Sequence, residues 1–181
     1  MASNSRIIWN RTRTSRVGAL GASFGGYMIN VINGRNTSLD NGRFKCLVNH
    51  DGIFSVGNLS YTTEELFFPE FEFGGTPFDL DPEVRQRYID ADPSRTVDEW
   101  ATPTLVIHGG RDYRIVDSEG IATFTALQRR GVPSELLYFP SENHWVLSRP
   151  NSIVWHDRVL GWLARWLGGE GGGGGEGVAK L

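Results

Sequence analysis

Four short apolar runs alternate along the chain with segments in which apolar residues recur at helical spacing. The runs are short and continuous, as is typical of strands buried within a parallel sheet. The predicted strands are 17–22, 44–49, 104–108 and 135–139. Strands that alternate with helices in this way predict an α/β fold with a parallel sheet flanked by helices.

Three helices are predicted after the first, third and fourth strands. The first spans about 24–32 and ends near Gly34, and the second spans 118–130 and ends at Gly131. Asn151 is the predicted N-cap of the last helix. The apolar stripe of that helix consists of Val154, Trp155, Val159, Trp162, Leu163 and Trp166.

Ser23 lies within Gly-Ala-Ser-Phe-Gly at 21–25, directly after the first predicted strand. A serine on a sharp turn from strand to helix is held in strained backbone angles, and small neighbours leave room for that turn. The turn exposes the hydroxyl and directs the first amides of the helix at a developing oxyanion. The motif predicts a nucleophile, but a lone G-x-S-x-G is a weak signal. A phosphate-binding turn is disfavoured because the G-x-G-x-x-G spacing and the lysine of a P-loop are missing.

A nucleophilic serine needs a base that accepts its proton and a carboxylate that orients the base. Hydrolases of the α/β class supply these groups in the chain order Ser, Asp or Glu, His. Asp112 follows the third predicted strand and His144 follows the fourth. Because sites in open parallel sheets collect at the carboxyl ends of the strands, we predict a triad of Ser23, Asp112 and His144.

Other residues of the right types compete for the last two roles. They are Asp51, Asp117, His50, His108 and His156. Asp112 could also be an ordinary turn aspartate. Asp117 is more typical of a helix N-cap, and His108, at a strand end, is more typical of a packed or hydrogen-bonded histidine. Chain order and context favour Asp112 and His144.

Composition narrows the class of protein. The 181 residues include six Trp and ten Phe, enough for one domain with a substantial core. A net charge of −3 indicates neither nucleic acid nor an anionic membrane as a partner, and no apolar stretch is long enough to span a bilayer. Residues 1–16 lack the apolar region of a signal peptide. The single cysteine, Cys46, is predicted to be buried and excludes an internal disulfide.

Ordered blocks of sequence carry a resemblance to one family. They are Gly-Ala-Ser-Phe-Gly-Gly-Tyr-Met at 21–28, Thr-Pro-Thr-Leu-Val-Ile-His-Gly at 102–109, Arg-Asp-Tyr-Arg at 111–114 and Glu-Asn-His-Trp at 142–145. Over about residues 16–167 the chain resembles the catalytic domain of the prolyl oligopeptidase family of serine peptidases. Further blocks at 50–52, 64–69 and 154–156 make it most similar to the fungal dipeptidyl-peptidases of that family.

The resemblance implies hydrolysis of peptide bonds through an acyl-enzyme. Ser23 would be the nucleophile, His144 the general base and then the general acid, and Asp112 the group that holds the imidazole. The backbone amide of Phe24 would be one oxyanion donor. The resemblance also implies substrates with free N-termini that are cleaved to dipeptides, secretion as in fungal members, and no metal or organic cofactor. It leaves the oligomeric state open.

Family members also carry an N-terminal β-propeller and the first strands of the hydrolase domain, and neither is found in the sequence. We therefore expect the C-terminal half of an α/β-hydrolase fold at 16–167, with an aromatic and acidic insertion at about 52–100. Residues 1–15 are expected to be irregular, and the glycine-rich tail at 168–181 to be disordered. The first strand would then lie at an open edge of the sheet.

Three functions remain open at this point. The first is a serine peptidase of the dipeptidyl-peptidase type, which the long aromatic segment after the second strand favours. The second is an esterase or lipase, because the same triad would serve either. The third is a truncated remnant that keeps the triad without a complete site. Glu64 and Glu65 could anchor a substrate ammonium, but solvated carboxylates are the simpler interpretation, and they stay unassigned.

Overall fold

The structure is a computed structural model that describes residues 16–38 and 42–168. The strands in this part are β1 (Val17–Ala22), β2 (Phe44–His50), β3 (Thr104–Gly109) and β4 (Ser134–Phe139). The helices are α1 (Phe24–Asn33), α2 (Val56–Thr62), α3 (Phe67–Phe73), α4 (Pro82–Ala91), α5 (Asp117–Arg129) and α6 (Arg149–Leu167), with 3₁₀ turns at Asn36–Ser38 and Pro93–Glu99. The expectations for residues 1–15 and 169–181 lie outside the described residues.

The four strands form one parallel sheet in the order β1-β2-β3-β4, as the alternation of strands and helices predicted. Ala22 pairs with His50 at the ends of β1 and β2, and Gly109 pairs with Phe139 at the ends of β3 and β4. The carboxyl ends of all four strands therefore meet along one edge of the sheet. That edge is where the loops that follow the strands can bring side chains together.

Both faces of the sheet are covered by helices, which explains why the strands read as continuous apolar runs. Alternate residues of β3 enter different cores: Leu105 and Ile107 pack with the α6 side chains, and Val106 packs on the opposite side near α5. The core on the α6 side consists of Cys46, Val48, Leu105, Ile107, Phe139, Val159 and Trp162. Cys46 is fully buried there, as predicted.

The start of α6 differs from the prediction. The helix begins at Arg149 after Ser148, so Asn151 lies inside its first turn and is not the N-cap. Pro150 explains the earlier start, since proline is favoured at the first positions of a helix. The Asn151 amide donates instead to the Glu142 carboxylate at 2.6 Å. Of the predicted apolar stripe, Val154 is 43% exposed and lies off the buried face.

Asp117 is also not an N-cap, because α5 begins at Asp117 itself and the extended residue before it is Val116. Its carboxylate accepts a hydrogen bond from the Tyr138 hydroxyl at 2.6 Å. Asp117 therefore ties the start of α5 to β4.

Residues 52–100, the segment expected to be an insertion, contain α2, α3, α4 and a 3₁₀ turn. Their side chains form a small apolar core together with Ile115 of the loop after β3; its buried members are Ile53, Val56, Leu59, Val84, Tyr88 and Ile115. At the far side of the described sheet, β1 lies at the edge and Leu20 is 49% exposed. An open edge at β1 was the expectation from the sequence.

No helix in the part of the chain that the structure describes has the length and hydropathy needed to cross a membrane.

Candidate active site

Ser23 connects β1 to α1 in a backbone conformation with φ 59° and ψ −121°. Residues with a side chain seldom adopt a positive φ, and such conformations persist where the surrounding structure enforces them. Here the Ser23 N–H donates to the His50 carbonyl at 2.9 Å, and the Ser23 carbonyl accepts from the Tyr27 N–H at 2.9 Å. A Cβ on Gly21 would collide with the Gly25 carbonyl, so the first glycine of the motif is required for this turn.

Gly26 and Gly52 bring two backbone segments into close contact next to Ser23. A Cβ on Gly26 would lie 2.6 Å from the Gly52 Cα and 2.7 Å from the His50 carbonyl oxygen. A Cβ on Gly25, by contrast, would meet no described atom within 4 Å. The close packing that holds α1 against the end of β2 therefore depends on Gly26, which lies just outside the G-x-S-x-G motif.

The structure brings the three residues of the predicted triad together. His144 Nε2 lies 2.9 Å from Ser23 Oγ, and His144 Nδ1 lies 2.7 Å from Asp112 Oδ2. A carboxylate can only accept, so Nδ1 carries the proton and donates to Asp112, and Nε2 is left to accept from the Ser23 hydroxyl. Asp112 and His144 are 3% and 8% exposed, so the hydrogen bond between them is shielded from water, whereas the one from Ser23 is partly buried.

Asp112 is held in place by its own loop. Its Oδ1 accepts from the backbone N–H groups of Arg114 and Ile115, both at 3.0 Å, which leaves Oδ2 for His144. The loop is tied to the one that carries His144, since the Arg111 N–H donates to the Glu142 carbonyl at 2.9 Å. These two loops follow β3 and β4, so the order of the strands sets the distance between acid and base.

Glu142 anchors the His144 loop to the start of α6, a role that no sequence motif predicted. Its carboxylate accepts from the N–H groups of Leu147 at 3.0 Å and Ser148 at 3.2 Å, and from Asn151 Nδ2. The bond from Asn151, followed by those from Leu147 and Ser148, outweighs burial and lowers the pKa of Glu142. The available signal was an acidic residue shortly before a helix, where the N-terminal dipole favours negative charge.

The pKa of His144 is set by opposing influences. Burial lowers it, but the hydrogen bond and charge of Asp112, together with the charge of Asp51, outweigh burial and raise the pKa above its ordinary value. The charge of Arg114 opposes this effect. A raised pKa means that the environment favours the imidazolium, the form that a general base reaches when it has accepted a proton.

The competing histidines have other contacts. His108 is fully buried and its Nε2 donates to the Ile115 carbonyl at 2.7 Å, as expected for a packed, hydrogen-bonded histidine. His156 lies on α6 with Nδ1 2.7 Å from the Ser152 carbonyl. His50 Nε2 lies 3.0 Å from Asp51 Oδ2. Asp51 is not bonded to His144, although its Oδ2 lies 3.9 Å from His144 Nδ1.

Glu64 and Glu65 are paired with a cation of the protein itself. Arg114 Nη2 lies 3.4 Å from the carboxylate of Glu64 and 3.0 Å from that of Glu65. The Glu64 N–H also donates to the Tyr113 carbonyl at 2.8 Å. The two glutamates thus link the segment after α2 to the loop that carries Asp112.

The backbone amide of Phe24 is the predicted oxyanion donor. Phe24 is the first residue of α1, so its N–H has no carbonyl one turn earlier in the helix and is available to an anion at the Ser23 side chain. Its aromatic ring is half-exposed and lies 5.4 Å from the ring of Tyr27.

One group of side chains in the described ranges has a spacing compatible with a metal ion, namely Asp51, His108 and Asp112, whose ligand atoms lie within 4.8 Å of one another. Two of these already have partners, because His108 Nε2 donates to a carbonyl and Asp112 Oδ2 accepts from His144. We assign no metal to this group.

These features together define an α/β-hydrolase fold: a parallel sheet, a serine between β1 and α1, and an aspartate and a histidine in the loops after β3 and β4. The model of the prolyl oligopeptidase family matches residues 9–170, and the chain belongs to that family. It is similar to "Dipeptidyl-peptidase 5" of Schizosaccharomyces pombe, with 51% identity over 148 residues, 82% of this chain and 21% of the relative. It is also similar to the "Probable dipeptidyl-peptidase 5" of Emericella nidulans, with 51% identity over 157 residues, 86% of this chain and 21% of the relative.

Solved structures share the fold at lower identity. The acylaminoacyl peptidase of Pyrococcus horikoshii superposes with a TM-score of 0.75 at 20% identity, over 90% of this chain and 26% of its own. A puromycin-hydrolyzing peptidase of Mycobacterium tuberculosis gives a TM-score of 0.75 at 22% identity, over 87% and 23%. The chain thus spans about a fifth of the length of the curated relatives that it matches.

Proposed function

We propose that this chain carries the catalytic apparatus of a serine peptidase that releases dipeptides from the free N-termini of peptides. The observation that carries the proposal is the unbroken line of hydrogen bonds from Ser23 Oγ through His144 to Asp112. Each of these residues follows a different strand of one parallel sheet. A serine in a strained turn with a bonded base and an oriented carboxylate is the constellation that acyl transfer requires.

In the proposed reaction the Ser23 oxygen attacks the scissile carbonyl carbon while His144 Nε2 takes the hydroxyl proton. The tetrahedral intermediate collapses when Nε2 gives that proton to the leaving amine, and the acyl group stays on Ser23 as an ester. His144 then deprotonates a water molecule that attacks the ester, and the proton returns to Ser23. Asp112 stays ionised throughout, fixes the imidazole tautomer and stabilises the imidazolium.

The Phe24 N–H would donate to the oxyanion that forms in both steps. Its position at the N-terminus of α1 favours negative charge near Ser23 through the helix dipole. Removing one oxyanion donor costs about 10²–10³ in kcat in enzymes of this kind, so this amide carries a substantial share of the rate.

Specificity for dipeptides rests on the relatives. Two curated relatives named as dipeptidyl-peptidases share 51% identity with the chain, over 148 and 157 residues respectively. A requirement for a free amino group, and export from the cell, follow from the same likeness and are proposed with it. Glu64 and Glu65 are not proposed as the ammonium anchor, because both pair with Arg114.

The test compares three chromogenic substrates on the purified chain: a dipeptidyl amide, the same amide with a blocked amino group, and a short acyl ester. We expect cleavage of the free dipeptidyl amide in preference to the blocked one, and no cleavage by Ser23→Ala. Turnover of the ester alone would favour an esterase. Equal turnover of free and blocked amides would refute the requirement for a free N-terminus.

A further inference from the structure

Asp51, the residue directly after β2, has a left-handed backbone with φ 49°. Glycine tolerates this region freely, whereas a residue with a side chain occupies it at a cost that local contacts must offset. The Asp51 N–H donates to the Ile107 carbonyl at 2.9 Å, which fixes the residue against β3. Its side chain is 1% exposed. Asp51 thus combines a strained backbone with a buried carboxylate at the edge of the sheet where the triad lies.

The carboxylate of Asp51 is surrounded by imidazoles. Its Oδ2 lies 3.0 Å from His50 Nε2 and 3.9 Å from His144 Nδ1, and its Oδ1 lies 3.9 Å from His108 Nε2. Oδ1 is buried and accepts no hydrogen bond from any described residue. His108 cannot satisfy it, since its Nε2 proton is given to the Ile115 carbonyl. The carboxylate of Asp51 therefore lies next to the imidazole rings of His50, His108 and His144, and its Oδ1 accepts no backbone hydrogen bond.

We propose that Asp51 is a positioning residue of the site, whose carboxylate acts through His144 together with that of Asp112. The inference rests on the proposed function. When Ser23 gives up its proton, His144 becomes an imidazolium, and a second buried carboxylate 3.9 Å from Nδ1 stabilises that cation. The left-handed backbone at Asp51, directly after β2, then places its carboxylate near His144, which lies in the loop after β4.

The geometry separates the two carboxylates by role. Asp112 is bonded to Nδ1 at 2.7 Å and sets the tautomer and orientation of the ring, whereas Asp51 acts across a longer gap by its charge alone. Both are almost fully buried, where Coulomb interactions are much less attenuated than in water. The other charged or titratable groups around this centre are His50, His108 and Arg114, and the charge of Arg114 opposes the two carboxylates.

Loss of this charge has two effects that a structural role would not combine. In Asp51→Asn the imidazolium is less stable, so the rate of serine attack at neutral pH falls, by at most about tenfold for each unit by which the pKa of His144 falls. The same change lets His144 lose its proton at lower pH, so the acid limb of the rate profile moves toward acid. A variant that only disturbs the packing of the site lowers the maximal labelling rate but leaves the acid limb of the pH–rate profile at the same pH.

The experiment measures two quantities on the full chain as a function of pH. One is the rate at which a fluorophosphonate probe labels Ser23, and the other is the midpoint of the His144 titration followed by NMR on histidine-labelled protein. Variants are Asp51→Asn, which keeps the shape of the side chain, and Asp51→Gly, which also accepts the left-handed backbone. Glu119→Gln is the matched control, a buried carboxylate that accepts from the loop after β2 and does not contact His144.

We expect the His144 midpoint to fall in both Asp51 variants, with the labelling plateau reduced and its acid limb shifted in the same direction. Glu119→Gln should leave the midpoint where it is in the unaltered chain. An unchanged midpoint in folded Asp51→Asn and Asp51→Gly protein overturns the inference, as does an equal shift in Glu119→Gln. If the unaltered chain itself does not label, the proposed function fails, and the NMR midpoints still decide whether Asp51 acts on His144.

Discussion

Because Gly26 is in close contact with Gly52, we predict that alanine destabilises the protein at position 26 but not at the neighbouring position 25. In Gly26→Ala the new methyl group would lie 2.6 Å from the Gly52 Cα, 2.7 Å from the His50 carbonyl oxygen and 2.8 Å from the Gly52 nitrogen. Favourable contacts between carbon atoms are about 3.5–4.0 Å. All three atoms belong to the backbone, so α1 and the end of β2 must move apart to admit the methyl.

The size of the effect follows from two opposing contributions. Overpacking typically costs about 1–3 kcal/mol, and we take about 3 kcal/mol because no flexible side chain can move aside. Replacing glycine with alanine in a helix returns about 1 kcal/mol. The net loss for Gly26→Ala is therefore about 2 kcal/mol, or about 4–8 °C in Tm for a chain of this size. Gly25→Ala receives the helical gain without the clash, since its methyl meets no described atom within 4 Å.

Thermal and urea unfolding of the two variants, followed by circular dichroism, test this reasoning. Gly26→Ala should also label more slowly with a fluorophosphonate, because the displaced segment includes the His50 carbonyl that holds the Ser23 N–H. Gly25→Ala should be at least as stable as the unaltered chain. Equal stability of the two variants, or a more stable Gly26→Ala, would refute the close approach on which the prediction depends.

Three further predictions follow from the contacts around the site. Asp112→Asn places an amide where His144 needs an acceptor, so Ser23 labelling should fall by about 10⁴-fold while the circular dichroism spectrum is unchanged. Glu142→Gln should lower the unfolding free energy in urea at neutral pH. Because the pKa of Glu142 is lowered in the folded protein, its contribution to stability is present above the ordinary carboxyl pKa and disappears as the pH falls through the folded value. If Glu142→Gln were still less stable than the unaltered chain in strong acid, the ionised carboxylate would not be the source of the difference. Glu119→Gln removes one acceptor from the loop after β2 and should cost about 1–3 kcal/mol in the same assay, whereas a neutral result would show that those bonds contribute nothing.

Much of the architecture could be predicted because its signals are local. The apolar runs gave β1 at its exact bounds and the other strands to within one residue at an end. The positions of Ser23, Asp112 and His144 after three strands followed from chain order, since a parallel sheet places those strand ends at one edge. For these strands, the same apolar run that forms the strand also determines the residue at which it ends, and hence the position of the site residue that follows.

The supporting contacts could not be predicted because they join segments that are distant in sequence. Gly26 meets Gly52, and Glu119 accepts from Phe54 and Ser55, more than sixty positions away at the end of the loop between β2 and α2. Asp117 and Asn151 were assigned as caps on residue type, yet tertiary partners on β4 and Glu142 take up their side chains. Local capping preference is a weak guide where such partners compete.

The most direct test of the proposed Ser23–His144–Asp112 triad is fluorophosphonate labelling of the purified chain, with Ser23→Ala and a folded His144→Gln variant as controls. We expect that the serine oxygen displaces fluoride from the probe, that the adduct maps to Ser23, and that labelling is lost in both variants. The rate should rise with pH through the raised pKa of His144. A folded, soluble chain that does not label, or one that labels equally well without His144, would show that Ser23 is not a nucleophile activated by His144.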